Sequence, residues 1–381
     1  MMKKMIFACA ALSLLAACQS SPKKTESQNT ENAFVVLNDN DVTQKKDVKL
    51  SELAEDFRII RMDNRDEALF QFGGAYFSDN YICIKQRRAQ APLKLFDKTG
   101  KFLCDVGSVG QGPGEYTSIY DALIDEKNGN IYVAPFAWNP RILKYGFDGK
   151  FKGEITLKGN INKGKLYLQP DGTLSMVHLC FQDLDGTFTG ANIQPNDTSR
   201  TQYVFNKSVA SNFRDAGGMN VGFNNEIWSY RNTDTFSFQT TFNDTVYHYD
   251  VANNQMTPRF LYAMNPEVRK TGWFIVNELP HHFAIIVVAG EKSRKVLMDK
   301  KTGEAYEATF INDFMGNMGA GINFEDGYYF SCAEPMELQE WIEETLASGD
   351  CPKDEVEKMT KLKDSLHEND NNILMIAKLK K

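Results

Sequence analysis

Phe96-Asp97-Lys98-Thr99-Gly100-Lys101-Phe102 decides the fold, because the chain repeats it. It returns as Phe147-Asp148-Gly149-Lys150-Phe151. Weaker echoes at Tyr249-Asp250-Val251-Ala252-Asn253 and Met298-Asp299-Lys300-Lys301-Thr302-Gly303 set a spacing of about fifty residues. Each copy is an apolar strand end, an aspartate, a turn rich in Gly or Asn, and a new strand. This is hairpin chemistry: the aspartate caps its own turn and Gly or Asn takes the positive φ. A hairpin recurring at this period predicts a β-propeller, built from four-stranded antiparallel blades.

Each blade's second strand should be an apolar run that follows a turn. Six runs qualify: Tyr81-Ile82-Cys83-Ile84, Ile131-Tyr132-Val133, Leu174-Ser175-Met176, Ile227-Trp228, Phe283-Ala284-Ile285-Ile286 and Tyr328-Tyr329-Phe330. Third-strand ends are expected at Asp97, Asp148, about Asn206, Asp250 and Asp299. After Phe330 the period changes. Leu338, Trp341, Ile342, Thr345 and Leu346 recur at helical spacing behind Pro335, with Gly349 as a stop, and a second helix is expected over 355–367. Ile373–Leu379 then supplies the missing strand, and Phe57-Arg58-Ile59-Ile60-Arg61-Met62 is the donor of the outermost one. Closing a ring with strands from both chain ends removes open edges. The expectation is all-β: a six-bladed β-propeller over 50–381, with a helical insertion at about 335–367 in the last blade.

The N-terminus carries an address. Lys3 and Lys4 precede an apolar stretch at 6–17, too short for the ~20 helical residues that span a bilayer. Residues 1–18 read as a signal peptide. Residues 19–32 offer nothing apolar to pack, and 19–49 read as a tether and N-terminal extension. Of seven cysteines, five lie beyond Cys18 at wide spacing with no CxxC, so neither a disulfide framework nor a metal site is expected. Cys83 and Cys104 share a predicted blade. A net charge of −7 without a basic run argues against nucleic acid as a partner.

The segment Leu15-Ala16-Ala17-Cys18 resembles a bacterial lipobox, which implies lipidation of Cys18. Gln19 in place of Asp implies sorting to the outer membrane. The chain as a whole resembles the six-bladed β-propeller lipoproteins of Bacteroidales, related in fold to NHL-type propellers. The resemblance rests on Val109-Gly110-Gln111-Gly112-Pro113-Gly114-Glu115-Tyr116, on Asn243-Asp244-Thr245-Val246-Tyr247, on the late helical segment and on the terminal strand. It implies a fold and a membrane-anchored location, and brings no catalytic residues and no cofactor.

The glycines of 110–114 are followed by neither the Lys-Ser/Thr of a P-loop nor a helical pattern. They read as an inter-blade turn tied down by Glu115 and Tyr116. The five histidines form no HExxH motif, His281 and His282 would face opposite sides of a strand, and there is no GxSxG elbow. Asp121, Asn224 and Asn323 are candidates for positions near the propeller axis. The loops holding Arg87-Arg88, residues 136–141, Tyr230-Arg231 and Glu291-Lys292-Ser293-Arg294 are expected to share one face. Exposed Trp and Arg are favoured at recognition hot spots. Arg87, Trp138, Arg141 and Arg231 are therefore the candidate ligand-binding residues, for a glycan, peptide or protein ligand, with Trp138 and its arginines suited to a carboxylate-bearing one. The leading expectation is a non-catalytic binding scaffold. The alternative is a periplasmic hydrolase or lyase of the NHL type with a central metal.

Overall fold

Every recurring hairpin closes through its aspartate. In the computed structural model, which describes residues 33–381 except Ala89 and Asp185, the Asp97 carboxylate accepts the backbone N–H groups of Thr99 (2.8 Å) and Lys101 (3.2 Å). Gly100 takes φ +89° in the same turn. Asp148 accepts from the Lys150 N–H, Asp250 from Asn253, and Asp299 from Lys301 and Thr302. Gly149, Asn254 and Gly303 take the positive φ. The signal segment with Cys18, and the tether as far as residue 32, lie outside the described residues.

These hairpins build an all-β domain. Among the described residues there are six sheets of four or more strands, and a small two-stranded one. The first sheet is Phe72–Phe77, Tyr81–Gln86, Leu93–Asp97 and Phe102–Val106. The second runs from Ile119–Asp125 through Asn130–Pro135 and Asn139–Gly146 to Phe151–Ile161. The third holds Lys165–Leu168, Leu174–Val177, Gly190–Ile193 and Gln202–Val204. The fourth begins with Ile227–Trp228 and continues with Phe236–Thr240, Thr245–Asp250 and Gln255–Ala263. The fifth contains Gly272–Glu278, His282–Ala289, Lys292–Asp299 and Ala305–Asn312. The sixth joins both ends of the chain: Phe324–Glu325, Tyr328–Ala333, Ile373–Leu379 and Ala54–Arg61. Within each group of four, the pairing is antiparallel and follows this order.

The terminal strand is central in its sheet. Ile373–Leu379 pairs with Tyr328–Ala333 on one side and with Ala54–Arg61 on the other. Ile373, Leu374, Met375, Ile376 and Leu379 are all buried. Apolar faces of neighbouring sheets form the core between them. Leu123, Tyr132, Ile142 and Ile155 of the second sheet, for example, pack with Leu166, Leu174 and Met176 of the third.

Helices Pro335–Ser348 and Lys353–Asp364 lie between the second and third strands of the sixth sheet in sequence. Pro335 opens the first and Gly349, at φ +82°, stops it. Leu338 and Ile342 share an apolar cluster with Met359, Ile373, Met375, Met315 and Met318. The helices therefore cover the sixth sheet and the neighbouring 315–318 turn.

Three expectations need correction. Ile227–Trp228 is the first strand of its sheet, not the second, which is Phe236–Thr240. Ahead of it, Asn224 and Asn225 end a short 3-10 turn that leads into the sheet. Asn206 does not end a third strand. It lies beyond the fourth strand of the third sheet, where it caps the turn 207–209 by accepting the Ser208 N–H. Residues 35–49 belong to the fold. Val35–Asn38 adds in parallel to Gln255–Ala263, and Lys45–Lys49 to Ala305–Asn312, covering the outer edges of the fourth and fifth sheets. Between them Asp39 is buried, accepting from the Tyr262 hydroxyl (2.5 Å), the Asn265 N–H (3.1 Å) and Arg294.

The glycine-rich segment is the tie that its composition suggests. Ser108–Val109 pairs with Glu115–Tyr116, and the Glu115 carboxylate accepts the Gly112 N–H at 2.8 Å. The Tyr116 hydroxyl donates to the Val106 carbonyl and accepts the Leu93 N–H. Cys83 and Cys104 both pair with Leu95 from opposite sides and remain free thiols. Burial pushes the Cys104 thiol up to about 11.

Candidate functional site

The first strands of the sheets meet around one residue. Arg231 lies at φ +52° in the connection between Ile227–Trp228 and Phe236–Thr240, with its side chain 6% exposed. Its Nη1 donates to Asp121 Oδ2 (2.8 Å) and the Leu166 carbonyl (3.2 Å). Its Nε donates to Asp326 Oδ1 (2.5 Å), and its Nη2 to the Ala122 carbonyl (3.3 Å). Glu325 Oε1 lies 2.9 Å from Nη2, and the Tyr76 ring centroid 5.6 Å from the guanidinium carbon. The next residue, Asn232, donates to Asn277 Oδ1 and the Phe324 carbonyl and accepts the Gly327 N–H. Arg231 and Asn232 together thus touch residues from all five other large sheets.

The charges of this hub constrain one another. Burial works against the Arg231 charge, yet Asp121, Asp326 and Glu325 hold its pKa well above the ordinary value. Burial pushes the Glu325 and Asp326 carboxyls up despite the guanidinium. Lys165 adds a second cation 3.5 Å from Asp121. A cleft of about 670 Å³ opens beside the hub, lined by Ser78, Asp79, Arg231, Asp326, Lys378 and Lys381 among others.

A different chemistry marks the other ends of the first strands. Trp138, in the turn between the second and third strands of the second sheet, is 49% exposed. It is nevertheless fixed. Its φ is +50° and its backbone N–H donates to Asn162 Oδ1 at 3.0 Å. Asn162 in turn donates its N–H towards His178 Nδ1, whose Nε2 donates to the Phe188 carbonyl. Burial lowers the His178 pKa to about 4, so the ring is neutral. The Trp138 indole rests edge-on against Phe223 (5.5 Å) and Phe213 (5.8 Å). Phe136, also exposed, stacks on Phe223 at 5.9 Å. Beneath them Lys163, 2% exposed in its side chain, is held by Glu226 and by the carbonyls of Phe223 and Asn225.

The sequence-predicted residues are dispersed over these features. Trp138 stands on the aromatic surface and Arg87 is exposed in the second-to-third-strand connection of its own sheet. Arg141 donates to Asn139 Oδ1 and pairs with Glu154 at 3.1 Å. Arg231, expected on the same face as Trp138, is buried in the hub, because its loop joins first and second strands rather than second and third. Arg294, from another of the expected loops, pairs with Asp39. Of the three candidates for positions near an axis, Asp121 bonds Arg231 in the hub, whereas Asn224 and Asn323 are exposed. Lys163, Glu226 and Asp326 escaped the sequence reading. Lys163 and Asp326 each precede a glycine and read as turn residues.

The comparison with known families covers almost the whole described chain. A family model described as a domain of unknown function, DUF4934, matches residues 33–378. The chain belongs to this family. None of the curated proteins matches it significantly. Among solved structures, a protein from Bacteroides fragilis NCTC 9343, named for its expected export, is 18% identical with a TM-score of 0.62. The match covers 92% of this chain and all of that one, and shows a shared fold. An auxiliary nutrient-binding protein from Bacteroides thetaiotaomicron VPI-5482 is 13% identical at a TM-score of 0.39, covering 71% of this chain and 67% of its own. Another from Bacteroides ovatus ATCC 8483 is 10% identical at 0.32, covering 70% and 69%. Among the described residues of this chain, no helix is long and apolar enough to cross a membrane. Nor does any group of three or more His, Cys, Asp or Glu side chains among them have metal-holding geometry.

Proposed function

We propose that this chain is an envelope lipoprotein, anchored through Cys18 at the outer membrane, whose six sheets close into a six-bladed β-propeller and serve as a non-catalytic binding module. The recognition surface is the aromatic one built on Trp138, with Arg87 at the rim. The observation that carries this reading is that Trp138 is half exposed and yet immobilised by its backbone, by Asn162 and by the Phe213–Phe223 pair. A large flat side chain presented to solvent without rotational freedom loses little entropy on binding a ligand. Closure into a ring is supported by the hub, where one arginine and one asparagine reach every other large sheet, and by the sixth sheet, which is made from both chain ends.

The rival reading, a hydrolase or lyase with a central metal, would use the carboxylates of the hub. Asp121 and Asp326 turn their oxygens onto Arg231, and Glu325 sits against the same guanidinium. The arginine occupies the position that a cation would need. These contacts favour a structural role for the hub over a catalytic one.

Two experiments test the proposal. Trp138→Ala should weaken ligand binding by about 2 kcal/mol, roughly thirtyfold, with the melting temperature nearly unchanged. Stability loss of ~3–5 kcal/mol with binding intact would make Trp138 a packing residue and sink this face. Cys18→Ser should release the protein from membranes. Unchanged fractionation, with no acyl label on the wild type, would remove the anchor.

A further inference from the structure

Two lysines meet at Tyr120, beside the aromatic surface. Lys85 lies on the second strand of the first sheet, opposite Gly74 on the first strand. A Cβ at Gly74 would stand 3.9 Å from the Lys85 Cβ, on the same face of the sheet. With no side chain at that place there is room beside Lys85, whose Nζ comes within 3.5 Å of the Tyr120 carbonyl in the second sheet. Lys165 comes from the first strand of the third sheet, and its Nζ stands 5.6 Å from the Tyr120 ring centroid. Three sheets thus bring two ammonium groups to one tyrosine, and all three residues are partly exposed. Arg87, exposed two residues beyond Lys85, adds to the positive rim.

The pair is short of negative charge. Among the described residues no carboxylate is within ion-pair reach of Lys85, and its contact to the carbonyl is long. Lys165 has one carboxylate contact, 3.5 Å from Asp121 Oδ1. The other Asp121 oxygen accepts from Arg231 and the Leu166 N–H, and Glu226 is engaged by Lys163 and the Tyr120 hydroxyl. Burial, with the Lys165 charge beside it, holds the Lys85 ammonium below its ordinary value despite Asp121 and Glu226. A half-buried cation without a counterion is costly, and an anion held between the two ammonium groups offsets that cost. The aromatic surface adjoins this place. The Tyr120 ring is 6.2 Å from Phe136, which is exposed and shares Phe223 with Trp138. A ring lying on Phe136 brings its own acid group toward Tyr120 and the lysines.

Resting on the proposed binding role of the Trp138 surface, we infer that Lys85 and Lys165 form a carboxylate site, which takes the acid group of a ligand whose ring lies on Phe136 and Trp138. Asp121 already matches part of the Lys165 charge, so the place suits a single negative charge better than a phosphate dianion. Uronic-acid sugars and aryl carboxylates share this chemistry.

Calorimetric titration of the full chain with oligogalacturonic acids, indole-3-acetic acid and inorganic phosphate tests this and separates the two sources. At least one of the carboxylates should bind, and its methyl ester or amide should bind at least about tenfold more weakly. Lys85→Met and Lys165→Met should each lose a similar factor, and Lys85→Arg should recover part of it. Without ligand, Lys85→Met should melt no lower than the wild type, because it removes a cation that lacks a partner. A lower melting temperature would make Lys85 a structural ion and overturn the inference. So would equal binding of an acid and its neutral analogue, preference for phosphate, or no binding by any of these acids. Binding that is lost on Trp138→Ala but indifferent to both lysines overturns the carboxylate site and leaves the role of Trp138 intact. Binding that is lost on the lysine variants but indifferent to Trp138→Ala upholds the carboxylate site and removes the Trp138 surface.

Discussion

Replacing Arg231 by methionine should damage the whole domain rather than a ligand contact. The substitution keeps an unbranched side chain at an unchanged positive φ and removes only the charged fork. It strands the carboxylates of Asp121, Glu325 and Asp326, whose side chains are 0%, 11% and 13% exposed, so water is poorly placed to replace the guanidinium. Breaking a buried ion pair by removing one partner costs roughly 3–5 kcal/mol, a large part of a domain's ~5–15 kcal/mol. The pH dependence identifies the cause. Burial already raises Glu325 and Asp326 in the native protein, and loss of the cation raises them further. A native state with raised carboxyl pKa values binds more protons than the unfolded chain, so its stability falls as pH rises above the ordinary carboxyl range. Urea denaturation should therefore show the full loss at about pH 7.5 and a smaller one at about pH 5. Asp326→Asn in the same background should recover part of it. A loss below about 1 kcal/mol at the higher pH, or one that grows on acidification, would refute the hub as an ionic keystone.

Deleting 371–381 removes five buried large apolar side chains worth roughly 8–15 kcal/mol together, and should leave no cooperative unfolding transition in calorimetry. A truncated chain that melts like the intact one would contradict the central place of this strand. His178 is held neutral with its pKa lowered from 6.5 to about 4, so the stability it contributes is complete above 6.5 and is lost as pH falls toward 4. That step is about 3 kcal/mol, and it should be missing from the denaturation profile of His178→Gln; superimposable profiles would show that another group titrates there. Gly114 stands at φ +72° with Phe151 against the position of any Cβ. Gly114→Ala should cost more than about 1 kcal/mol in thermal unfolding, and an unchanged midpoint would mean that the turn yields freely.

What the sequence disclosed follows from how local each determinant is. An aspartate that caps its own turn needs only its next few residues, so Asp97, Asp148, Asp250 and Asp299 are legible, and with them the period. The Ile373–Leu379 strand is legible because five consecutive apolar residues, 373–377, follow two amphipathic helices. The fourth sheet misled because its first strand is only two residues long and is preceded by asparagines. One strand of slippage moved Arg231 to the wrong end of its sheet. The hydrogen bonds of the hub reach residues between 45 and 110 positions from Arg231 or Asn232, and no local pattern announces that a turn arginine will be met by three carboxylates. Trp138 was legible as an exposed aromatic in a turn. Its supports, Asn162, Phe213 and Phe223, were not, since they come from connections without regular periodicity.

The N-terminal strands have a mechanical consequence. Val35–Asn38 pairs in register with residues 260–263, and Lys45–Lys49 with 307–311, each in parallel along an outer edge. Tension applied at residue 34 along the strand pulls all four residue pairs of the first ladder in shear at once, instead of opening them one by one. The second ladder stands behind it in series. Either can give way while the four antiparallel strands of its own sheet stay joined. The pair acts as a sacrificial clamp, dissipating a pull on the leading end of the chain before the load reaches Ala54–Arg61 and the sheet that ties the two ends together.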